Sequence, residues 1–107
     1  MIGCRYMRVI VFFDLPTLTA KNRREYRKFR KMLINEGFLM MQESVYCKLT
    51  LNYQSAENVV ERVRKGKTSD GTIQCMVITE KQYSKIEYII GFKKSKQIDS
   101  IKRIIEI

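Results

Sequence analysis

Five consecutive apolar residues, Val9-Ile10-Val11-Phe12-Phe13, run straight into Asp14-Leu15-Pro16. β-Branched and aromatic side chains favour extended backbone, and a run without polar alternation suits a central strand covered on both faces. Pro16 cannot donate to a strand ladder and disfavours helical backbone at Leu15, so the strand predicted over residues 5–14 ends there. A chain of 107 residues suits one domain, and so small a domain is often helped by oligomerisation.

The residues after Pro16 must cover that strand. Thr19 is placed to cap a helix running to Glu36, and Gly37 sits where a left-handed residue closes one. Residues 38–50 read as a strand region, with a bulge or bend at Gln42-Glu43-Ser44. Ser55 is the expected cap of a second helix, in which Ala56, Val59, Val60 and Val63 make a core-facing stripe closed by Gly66. Asp70-Gly71 marks a turn before a strand over residues 72–79, and residues 86–91 read as another strand. Lys93, Lys94 and Lys96 belong to a basic loop, and residues 101–107 fit a short strand or a helix equally well. This order matches a ferredoxin-like βαββαβ sandwich, an α+β fold with both helices on one face of an antiparallel sheet and an extra C-terminal strand.

The chain carries 21 Lys and Arg against 11 Asp and Glu, a formal net charge of +10. Such an excess points to a polyanionic partner, nucleic acid or an anionic membrane surface, or serves only solubility. The three cysteines lack zinc-ligand spacing and read as small buried hydrophobes in a reducing compartment. No apolar run is long enough to span a bilayer and no signal-peptide pattern opens the chain, so a cytoplasmic protein is expected. There is no histidine, which excludes a Ser-His-Asp triad and a histidine general base. Hydrolysis would rest on a carboxylate, a metal-activated water, or both.

The charge concentrates on the first helix. Between Thr17 and Gly37 there are seven basic residues and two acidic ones. Arg24, Arg27, Lys28 and Lys31 share a face, while Tyr26, Phe29 and Leu33 form the stripe that must meet the sheet. Arg and Lys on a rigid helix can track a phosphate backbone without reading bases. A solvated face without a partner is the structural alternative. Membrane insertion is disfavoured, because burying the stripe leaves no apolar face.

Asp14 stands out among the acids, since a carboxylate at the end of a central strand is rigidly held. Mg²⁺ takes oxygen ligands and needs only one or two carboxylates plus substrate phosphates. An Asx-type turn ahead of the helix explains Asp14 equally well. One carboxylate makes a poor metal site, but a homodimer that brings two copies of Asp14 together repairs this. Ser44 and Tyr46 are further candidates for hydrogen bonds to phosphate.

Several stretches together resemble the small CRISPR-associated Cas2 family. They are Val11-Phe12-Phe13-Asp14-Leu15-Pro16, the basic helix from Arg23 to Lys31, Gly37-Phe38, Gln42-Glu43-Ser44-Val45-Tyr46, Val77-Ile78-Thr79-Glu80-Lys81-Gln82-Tyr83 and Ile89-Ile90-Gly91. The Phe-Phe-Asp-Leu-Pro version looks most like members that accompany a single large effector nuclease. The resemblance implies a ferredoxin-like homodimer, with residues 1–91 as the domain and 92–107 as a basic loop and strand exchanged across the dimer. It implies that Asp14 of each protomer is the metal-binding and catalytic aspartate of a Mg²⁺-dependent endonuclease acting on RNA or DNA. It implies a role in bridging dimers of the larger CRISPR integrase subunit while spacers are inserted into the array. The spacer duplex DNA would then be held by basic side chains, for which Arg23, Arg24, Arg27, Lys28 and Lys31 are the candidates by position. Phe13 departs from the many members with Tyr before the aspartate. A free-standing RNA-binding module and a toxin-like ribonuclease are the competing readings of the same fold.

Overall fold

The computed structural model describes residues 5–91. The elements are β1 (Met7–Asp14), α1 (Ala20–Asn35), β2 (Leu39–Gln42), β3 (Val45–Thr50), α2 (Tyr53–Lys65), β4 (Thr72–Thr79) and a single helical turn, α3 (Glu80–Tyr83). The sheet has the order β2-β3-β1-β4 with every pair antiparallel, the ferredoxin-like arrangement. The apolar run of β1 occupies the central position that its composition predicts, between β3 and β4.

Val9, Val11 and Phe13 face the helices and are almost wholly buried, with Phe29 and Leu33 of α1 and Ala56, Val59 and Val63 of α2 packed over them. Each large apolar side chain among them contributes about 1.5–3 kcal/mol of burial, so this layer dominates the stability of the domain. Phe13 holds the centre of an aromatic group, 5.2 Å from Phe29, 5.7 Å from Tyr46 and 6.1 Å from Tyr26 between ring centroids.

Helix α1 starts and stops where its sequence signals lie. The Thr19 hydroxyl accepts from the Asn22 N–H at 3.0 Å, and Asn22 Oδ1 accepts in return from the Thr19 N–H. At the other end Gly37 takes φ +98°, and the Phe38 N–H reaches back to the Leu33 carbonyl while the Gly37 N–H donates to that of Ile34. This is a Schellman closure, and it delivers Phe38 into the core.

Four expectations change. Residues 38–50 form a hairpin, β2 and β3, turning at Glu43-Ser44, with the irregularity in β2 between Met40 and Gln42. Asn52, not Ser55, caps α2: its Oδ1 accepts from the Ser55 N–H at 2.8 Å, which puts Ser55 inside the first turn. Residues 86–91 are not a strand within the chain, because Thr79 and Gln82 form a capping box that turns β4 into α3. Ile89 and Ile90 are consequently 84% and 92% exposed. Cys75 is exposed rather than buried, since it lies on the β4 edge, whereas Cys47 is buried as expected. Cys4, and the basic loop and C-terminal strand expected over residues 92–107, lie outside the described residues.

Candidate metal and nucleic-acid site

Asp14 is the last residue of β1, opposite Thr72 of β4, and it is exposed. Its strand end is held from two sides. The Phe13 N–H donates to the Ser44 carbonyl at 3.1 Å, tying the β2–β3 turn to it. From the other side Gly71, at φ +95°, packs so closely that a Cβ there would lie 2.8 Å from the Asp14 carbonyl oxygen. Only glycine combines that backbone conformation with that approach. Ser44 is therefore next to Asp14 through its main chain.

Strand alternation puts Asp14 on the same side as Arg8, Ile10 and Phe12, the face opposite the helices. That open face carries exposed Leu39, Leu49 and Met76 by register with β1 and β3. Among the described residues no three carboxylate or thiol side chains gather to hold a metal ion. The chain thus offers a single rigid carboxylate here, which fits Mg²⁺ only if substrate phosphates or a second carboxylate complete the shell.

The basic residues of α1 lie on the other side of the molecule. Arg24, Arg27, Lys28 and Lys31 are exposed, and among the described residues none forms an ion pair. Arg23 is exposed but engaged, its guanidinium donating to the Thr17 and Leu18 carbonyls at 3.1 and 3.2 Å and bracing the β1–α1 turn. Glu25, the acid within this helix, faces away toward the α2–β4 loop. Both the main-chain N–H and the hydroxyl of Ser69 donate to it at 3.0 Å, which holds its carboxyl below the usual range. The carboxylate and the cations therefore do not share a face of the chain, although they are close in sequence.

Tyr46 needs a correction. It is 1% exposed, and its hydroxyl accepts from Arg30 Nε at 2.8 Å. A phenol covered in this way is not available to a phosphate, so Tyr46 acts through the core and through Arg30.

A cluster with no sequence signal sits on the open face. Arg8 makes a two-pronged contact with Glu80, at 2.9 and 2.6 Å, and lies 4.1 Å from the centroid of the Tyr83 ring. Burial opposes the Arg8 charge, but the Glu80 hydrogen bonds and charge outweigh it and raise the guanidinium pKa. Burial likewise pushes the Tyr83 phenol up, with Cys47 adding to the effect. These contacts fasten α3 across the sheet, 72 residues away in sequence from Arg8.

With this geometry in place, residues 7–86 match the family model described as CRISPR associated protein Cas2. The chain belongs to the Cas2 family. The match spans all the described strands and helices, with Asp14 and the whole of α1 inside it. A protein of Treponema denticola named CRISPR-associated endoribonuclease Cas2 is 46% identical over 99 residues, covering 92% of this chain and 98% of the relative. A second of that name, from Ligilactobacillus salivarius, is 44% identical with the same coverage. A solved Cas2 crystal structure superimposes with a TM-score of 0.58 at 17% identity, covering 94% of this chain and 99% of the other, which bears on the fold alone. No helix among the described residues is long and apolar enough to cross a membrane.

Proposed function

We propose that this Cas2-family chain is a homodimeric CRISPR adaptation subunit, which bridges dimers of the larger integrase subunit and holds spacer duplex DNA against α1 during insertion. The observation that carries this reading is the exposed set Arg24, Arg27, Lys28 and Lys31 on α1, unpaired among the described residues, over the sheet face opposite the one to which Asp14 is turned. A duplex lying along α1 is gripped through its phosphates without reaching the Asp14 of that protomer, as a holding surface requires.

Phosphodiester cleavage is a second activity, assigned to Asp14. The endoribonuclease names of the relatives support it, and RNA is the substrate they name. Two Asp14 residues meeting across a dimer built on the open sheet face would hold Mg²⁺. Bound Mg²⁺ supplies polarisation of the phosphate and an activated water, which a chain without histidine cannot obtain from imidazole. The chain's own part is to fix the two carboxylates, through the Ser44 and Gly71 contacts to the strand end. The open face presents exposed Leu39, Leu49 and Met76, an apolar surface that suits a protein partner.

The test compares wild type with Asp14→Asn in spacer integration, using the purified integrase partner, duplex DNA and Mg²⁺. We expect the variant to remain dimeric and integrate normally while Mg²⁺-dependent cleavage is lost. Failure of both activities in a folded, dimeric variant would make Asp14 essential to adaptation. Absence of integration by wild type would overturn the adaptation role and leave the nuclease.

A further inference from the structure

Arg30 differs from the other exposed cations of α1 in how it is held. Its Nε donates at 2.8 Å to the hydroxyl of Tyr46, and Tyr46 is itself 1% exposed and packed against Phe13. A phenol set in the core has little freedom to lose, so its hydrogen bond restrains the guanidinium through Nε. The hydrogen bond occupies Nε and leaves the two terminal nitrogens, while the residue is exposed and has no acidic partner among the described residues. Two parallel N–H groups on a restrained plane match two oxygens of one phosphate, the geometry that distinguishes Arg from Lys.

Its position extends this argument. Arg23, Arg27 and Arg30 stand at i, i+4 and i+7, a line on the flank of α1 nearest β3. The line borders the outward face of Arg24, Lys28 and Lys31, and Arg27 belongs to both. Its first member is pinned to the Thr17 and Leu18 carbonyls and its last to Tyr46. From first to last the helix rises roughly 10 Å, enough to reach neighbouring phosphates of one strand.

We propose that Arg30 is a pre-organised phosphate-binding fork, with Tyr46 as its positioning residue, and that it closes an arginine line, Arg23–Arg27–Arg30, along one nucleic-acid strand. This rests on the reading of α1 as the duplex-holding surface. Arg30 touches the phosphate, whereas Tyr46 acts only by orienting it.

The experiment measures binding of one short DNA duplex across roughly 50 to 200 mM salt for wild type, Arg30→Gln, Arg30→Lys, Tyr46→Phe and the Arg30→Gln/Tyr46→Phe double variant. Arg30→Gln is expected to weaken binding about fivefold and to lower the salt slope by about one. Tyr46→Phe keeps every charge, so the slope stays while affinity falls about two- to threefold. Arg30→Lys is expected to behave like Tyr46→Phe, and the double variant to be no worse than Arg30→Gln alone. A purely structural Tyr46 would change thermal stability and leave affinity untouched. Wild-type affinity in either Tyr46→Phe or Arg30→Lys would overturn the fork, and should Tyr46→Phe fail to fold, Arg30→Lys decides alone. No duplex binding by wild type would instead overturn the holding surface itself, and this inference with it.

Discussion

At the scale of single residues, the polar side chains of this chain divide into those that hold the fold and those left facing outward. Glu25 belongs to the first kind, since its carboxylate accepts from the Ser69 main chain and hydroxyl. Its folded pKa is depressed, so its contribution is fully present above the ordinary carboxylate range and is lost as pH falls through the folded value. Protection of the Ser69 amide, taken relative to its intrinsic exchange rate at each pH, should therefore fall on acidification before the core opens, and Ser69→Ala should weaken that pH dependence by removing the hydroxyl's share of the contact. The Arg8–Glu80 pair is more deeply placed, with the Arg8 side chain 15% exposed. Replacing Glu80 by Gln leaves a half-buried guanidinium without its counter-charge, and a loss of about 1–3 kcal/mol is expected in urea unfolding. An unchanged midpoint would mean that the pair is solvent-screened and α3 is held by Tyr83 instead.

At the scale of elements, α1 does two jobs on two faces. Phe29 and Leu33 bury it against β1, while its cations remain without ion pairs among the described residues. Like charges at i,i+4 cost the isolated helix a few tenths of a kcal/mol per pair, so the capping box at Thr19 and the Schellman closure at Gly37 offset a self-repelling surface. Charge reversal of Arg27 and Lys28 should weaken duplex binding equally for all sequences and flatten its salt dependence by about one unit for each phosphate released. An unaltered salt slope would place the duplex elsewhere. Thermal stability should hold or rise, because the reversal relieves repulsion.

At the scale of the whole molecule, the described residues leave apolar surface without a cover. Leu39, Leu49 and Met76 lie exposed on the open sheet face, and Ile89 and Ile90 stand out beyond α3. An apolar sheet face on so small a basic domain suits a second copy of the chain. Sedimentation should report a dimer at micromolar concentration, and charged substitutions at Leu49 and Met76 should shift it to monomer and abolish Mg²⁺-dependent cleavage together. A stable wild-type monomer that cleaves would dispose of the paired-carboxylate site.

Much of the fold is legible in the order of residues alone. The apolar run of Val9 to Phe13 dictates a central strand, Thr19 and Gly37 bound α1, and the spacing of Ala56, Val59 and Val63 chooses the buried face of α2, because hydrophobic period and capping chemistry act over a few residues. The Thr79–Gln82 capping box is also written locally, and it outweighs the apolar pattern of residues 86–91 that suggests a strand. Of the candidate site, the sequence determined which residue types are present: one carboxylate at a strand end and a helix rich in cations. The pairing of Arg8 with Glu80, the Arg30–Tyr46 hydrogen bond and the placing of Asp14 on the face away from α1 were decided only by the tertiary structure. Each depends on which strands become neighbours and in what register, and a one-residue slip in register would exchange the two faces of the sheet.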